Sequence, residues 1–91
     1  MQRHYARRIL KKKMKSIRDK VKDVLYNSIG CESRQKIVQE IENDGVLVQL
    51  DLIDPVVSMF GWNSQMVVCI GPRKFVFDVD GNWQGSQTHF A

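Results

Sequence analysis

The stretch QMVVCIGPRKFVFDVDGN, residues 65–82, sets the architecture. In its first part Met66, Val67, Val68, Cys69 and Ile70 follow one another without a polar gap, which predicts a strand over 65–70 buried on both faces. Gly71, Pro72, Arg73 and Lys74 break that run. Phe75, Phe77 and Val79 then alternate with Val76, Asp78 and Asp80, the period of two expected of a further strand. Asp80-Gly81-Asn82 supplies residues that accept the positive φ of a tight hairpin turn. Strands this close in sequence pair antiparallel, because a parallel partner needs a crossover of about a dozen residues or more.

Beyond this stretch, the polar tail Trp83 to Ala91 is readable either as an edge strand or as a frayed end. On the other side, Gly61 to Ser64 is a link and Val56 to Phe60 a short strand. Asp54-Pro55 punctuates the chain before it. Val46, Val48, Leu50 and Leu52 alternate with Leu47, Gln49, Asp51 and Ile53, which predicts another strand. Upstream, Ser33 is placed as the N-cap of a helix running to about Asn43, with Ile37, Val38 and Ile41 as its buried side and Asp44-Gly45 as its exit.

From Arg3 to Asn27 there is neither Pro nor Gly, and Leu10, Met14, Ile17, Val21, Val24 and Ser28 recur at spacings of 4, 3, 4, 3 and 4. That is helical periodicity, widened by Leu25 and Ile29 and stopped by Gly30. The expected fold is α+β: two N-terminal helices packed on a small antiparallel sheet of three to four strands. Residues 1–91 form a single domain, divided into a long basic amphipathic helix over 1–29, a second helix over 33–44 and the sheet over 46–91.

With 91 residues, 43% of them apolar, the chain has material for one core and not for two. Its aromatic and branched residues argue against disorder. No apolar run approaches the roughly 20 residues of a membrane span, and the N-terminus lacks the apolar core of a secretory signal, so a cytoplasmic protein without membrane insertion is expected. Cys31 and Cys69 are too few for a disulfide framework and have no zinc spacing, and read as reduced thiols. No cofactor is expected.

The net charge of +4 conceals a strong polarity. Residues 1–25 hold ten of the fourteen basic residues against Asp19 and Asp23, while the other 66 residues hold four bases and eight acids. Arg7, Lys11, Lys15, Arg18 and Lys22 form a row at spacings of 4, 4, 3 and 4, broadened by Arg8 and Lys12. Positive charges displayed along a surface are what phosphate recognition needs, for RNA and DNA alike. Arg73 and Lys74, in the Gly-Pro turn, are expected to add to them. A solvated helix face is the plain alternative, but the density of Lys11, Lys12, Lys13 and Lys15 favours a partner. That partner is nucleic acid or an acidic protein surface, the latter making the chain an adaptor or inhibitor. The helix has no aromatic anchor for a membrane surface, and its heptad-like spacing is as well explained by packing on its own sheet, although self-association into a homo-oligomer stays compatible.

Trp62, Trp83, Tyr5 and Tyr26 are candidates for stacking on bases or anchoring a protein partner. Signatures of known RNA-binding sheets, KH loops and zinc fingers are missing. For catalysis the inventory is thin: His89 with Arg73, Lys74 and Asp78 would be a ribonuclease-like set by residue type alone, so a non-enzymatic binding protein is expected. Asp78 to Asn82 has a calcium-loop look, but Trp83 stands where such a loop needs glycine, and it reads as a turn.

Overall fold

A computed structural model describes residues 15–89. Three helices, α1 (Ile17–Leu25), α2 (Cys31–Glu42) and α3 (Gly45–Gln49), precede four strands, β1 (Val57–Trp62), β2 (Gln65–Ile70), β3 (Arg73–Asp78) and β4 (Trp83–Thr88). The strands form one antiparallel sheet in the order β1-β2-β3-β4. The expected α+β architecture is present, and the tail left open in sequence supplies the fourth strand.

Turn chemistry explains why the strands follow one another so directly. Asn63 and Ser64 both have positive φ, 51° and 60°, as a two-residue hairpin between β1 and β2 requires. Gly71 opens the β2–β3 turn at φ 55°. At the β3–β4 turn the Asp78 carboxylate accepts the backbone N–H groups of Asp80 and Asn82 and the side-chain amide of Asn82. The Asn82 backbone bond leads these in holding the Asp78 carboxyl below its ordinary pKa.

Register divides the sheet into two faces. Met59, Val68, Phe75 and Ser86 lie opposite one another across the four strands, as do Val57, Ile70, Arg73 and Thr88. On this face Met66, Val68, Ile70, Phe75 and Phe77 pack against Val21 and Leu25 of α1, Ile37, Val38 and Ile41 of α2, and Leu47 of α3. Each fully buried aliphatic or aromatic side chain contributes about 1.5–3 kcal/mol. The other face carries the row Phe60, Val67, Val76 and Gly85. Val67 is buried there between its cross-strand neighbours, so β2 is apolar on both faces as its sequence predicts.

Several elements differ from the sequence expectation. No strand forms over 46–53, where α3 stands instead. Asp44 N-caps α3, its side chain accepting the Leu47 N–H at 2.6 Å, and Leu47 and Leu50 turn inward at a helical spacing of three while Val48 stays 71% exposed. Asp44-Gly45 is therefore both the exit of α2, whose C-cap is Asn43, and the start of a further helix where the sequence predicts a strand. Helix α2 begins at Cys31, capped by Gly30 without a side-chain bond, and Ser33 lies inside its first turn. There Ser33 meets the β3–β4 turn: a Cβ on Gly81 (φ 85°) would stand 2.9 Å from the Ser33 carbonyl oxygen.

The long N-terminal helix is also revised. Within the described residues it starts at Ile17, because Ser16 is extended (φ −65°, ψ 157°) and its hydroxyl accepts the Asp19 N–H at 3.2 Å. The part of the expected helix over 1–14, including Leu10 and Met14, lies outside the described residues. Ile17, Val21, Val24 and Leu25 occupy the inward side as the stripe predicts, but the helix ends at Leu25 and not at 29, and Gly30, with φ −66°, caps α2 and is not a left-handed stop. Lys20 fastens α1 to the loop before β1, donating to Asp54 and to the Pro55 carbonyl.

Candidate nucleic-acid interface

The outward side of α1 and its approach carry Lys15, Arg18 and Lys22. Lys15 precedes the Ser16 cap and pairs with Asp23 at 2.8 Å, a hydrogen bond that raises its ammonium pKa. Arg18 reaches Glu42 of α2 at 3.2 Å. Lys22 has no ion-pair partner among the described residues. Exposed pairs of this kind are worth about 0–1 kcal/mol, so these carboxylates hold the two cations only weakly.

Between α1 and α2 runs a groove of about 350 Å³, lined among others by Arg18, Lys22, Cys31, Arg34, Val38 and Glu42. Three of these are cations and one is an acid. Arg34, which the sequence reading did not single out, enters from α2 and places its guanidinium carbon 5.2 Å from the centre of the Tyr26 ring. Its Nε is buried with no hydrogen-bond partner among the described residues. Tyr26 caps α1 with helical φ and ψ, so it follows Lys22 by four residues on the same side of the helix, and it is 67% exposed. The basic row ends in an aromatic ring.

Other expected members are not brought here. Arg73 points into the core face and is 8% exposed; its guanidinium donates to both Asp44 carboxylate oxygens, to the Thr88 hydroxyl and to the Ser86 hydroxyl. That is a structural role, in place of the expected phosphate contact. Lys74 alternates with Arg73 and lies on the opposite face of the sheet, opposite Cys69 and Gln87, away from the helices. Arg7, Arg8, Lys11 and Lys12 lie outside the described residues, as does Tyr5. Trp62 and Trp83, 66% and 52% exposed, belong to β1 and β4. The ribonuclease-like set does not assemble: Arg73 is internal, Lys74 faces away from it, Asp78 is tied into its turn, and His89 is exposed after β4.

Cys31 and Cys69 are both free thiols. Among the described residues, no group of three or more His, Cys, Asp or Glu side chains is arranged to hold a metal ion. Nor is any described helix long and apolar enough to cross a membrane.

Fold and site together define a small α+β domain with a basic groove on its helical side, one of whose lining arginines, Arg34, lies over the Tyr26 ring. No protein-family model, curated protein or solved structure significantly matches the chain.

Proposed function

We propose that this chain is a binding protein for nucleic-acid phosphates, contacted by Lys15, Arg18 and Lys22 of the helical side together with Arg34. One observation carries the reading: three cations from two helices, Arg18, Lys22 and Arg34, converge on one groove whose only acidic lining residue among the described ones is Glu42, and Lys15 stands just before the first of these helices. Arg7, Arg8, Lys11 and Lys12 extend the same charge in sequence, since residues 1–14 hold six bases and no acid. Binding of this kind is driven by release of condensed counterions and needs little sequence information. Arg73 and Lys74 are not part of this surface.

Replacing Lys11, Lys12 and Lys15 together by Glu tests it. Fluorescence anisotropy with labelled RNA and DNA should show affinity falling by at least about tenfold in low salt, with the circular dichroism spectrum unchanged. Unchanged affinity removes the proposal. A second reading is supported by the carboxylates already seated on Lys15 and Arg18: an acidic protein surface would replace Asp23 and Glu42 like for like. It is favoured if the wild-type protein binds no oligonucleotide at low salt.

A further inference from the structure

We infer that the groove takes a single strand of nucleic acid, RNA or DNA, and that Tyr26 with Arg34 is a stacking platform for one unpaired base. The inference rests on the phosphate-binding reading and adds the strandedness of the ligand and a base site. Three observations converge on it. Tyr26 continues the row Arg18, Lys22 at helical spacing, so a backbone tracking those cations arrives at the ring. Tyr26 is 67% exposed, so core packing does not account for most of its surface. Arg34 holds the ring from one side at 5.2 Å, fixing it by a cation–π contact and joining a planar guanidinium to the aromatic surface.

The chemistry then discriminates between ligands. Bases in a duplex are already stacked and paired, so their faces are closed to a side chain lying beside the backbone. An unpaired base can swing out onto a tyrosine or an arginine plane while its phosphates stay on the cations. From Arg18 to Tyr26 the helix rises about 12 Å, so the platform sits at one end of a short basic track and not in its middle.

The experiment measures anisotropy of single-stranded RNA, single-stranded DNA and the corresponding duplexes on the full chain at one salt concentration, for wild type, Tyr26→Ala, Tyr26→Trp and Arg34→Lys. The wild type should prefer single strands. Tyr26→Ala should lose about tenfold on single strands and leave duplex binding unchanged, since a stacked base is worth about that factor or more and no charge is removed. Tyr26→Trp should restore the preference, and also keeps the test decisive if the alanine variant folds poorly. Arg34→Lys keeps the charge and loses the plane, so it should weaken single-strand binding with the salt slope retained. A stronger effect on RNA or on DNA identifies which strand is the ligand. Equal binding of single strands and duplexes, or a preference that Tyr26→Ala leaves intact, overturns the platform while phosphate binding stands. Failure of the wild type to bind any of the four overturns both.

Discussion

Arg73 shows how much a single position depends on parity. Beside a Gly-Pro turn it looks like an exposed cation, yet it is two residues before Phe75 and four before Phe77, the same side of a strand that buries both. That alternation was readable in the sequence. Its partner was not, because Asp44 comes from another element 29 positions away. The pair is sheltered, with side-chain exposures of 10% and 13%. Burial pushes the Asp44 carboxyl up, but hydrogen bonds from Arg73 and from the Leu47 and Val46 N–H groups outweigh it and leave the pKa below its ordinary value. A carboxyl lower in the folded than in the unfolded state stabilises the fold fully above the unfolded value of about 4 and loses that contribution as pH falls through the folded one. Arg73→Ala should therefore cost about 3–5 kcal/mol at neutral pH, where it strands a sheltered carboxylate. Urea denaturation at neutral pH and well below pH 4 should show the gap between variant and wild type narrowing in acid, and a constant gap would place the loss in packing alone.

At the scale of elements, the strands and the inward stripe of α1 were legible because each rests on local periodicity and turn chemistry. The segment 46–53 was not, since alternation of Val46, Val48, Leu50 and Leu52 coexists with the helical spacing of Leu47 and Leu50, and the cap from Asp44 tips the balance. The start of α1 had a similar signal in Ser16 and Asp19, masked by an apolar period that runs straight through it. How the elements lock together is a tertiary matter, best seen at Gly81. Alanine there would need a strained φ of 85° and would press its Cβ to 2.9 Å from the Ser33 carbonyl, forcing the β3–β4 turn off α2. Gly81→Ala should lose more than the roughly 1–2 kcal/mol of the left-handed conformation alone. Gly45→Ala is the matched control: it lies within α3, nothing stands within 4 Å of the new methyl, and a gain of about 0.5–1 kcal/mol is expected. Thermal melts of the two variants should move in opposite directions, and a Gly81→Ala melt equal to wild type would show that the turn and α2 are not in close contact in solution.

For the whole molecule, charge is partitioned more sharply than the net +4 suggests. Residues 1–14 carry six bases without an acid, whereas the rest of the chain holds eight bases and ten acids. A groove lined by three cations on a body of that composition is a local concentration of charge that average composition hides. The cations on α1 were visible in sequence as a row. Tyr26 follows Lys22 by four positions and was open to the same reading; Arg34 was not, because it joins that row only when α2 folds against α1. This geometry makes a quantitative demand on salt dependence. Each phosphate neutralised on a single strand contributes about −0.7 to the slope of log affinity against log salt. Replacing Arg18, Lys22 and Arg34 together by Gln should then flatten the slope by about 2, leaving what the remaining cations supply. An acidic protein surface has no comparable condensed counterion layer, so docking on one would give a shallower slope and a much smaller change in the same variant. A titration series from low to physiological salt on wild type and triple variant separates the two: parallel lines would exclude the groove from the binding surface, and converging lines would assign it the phosphates.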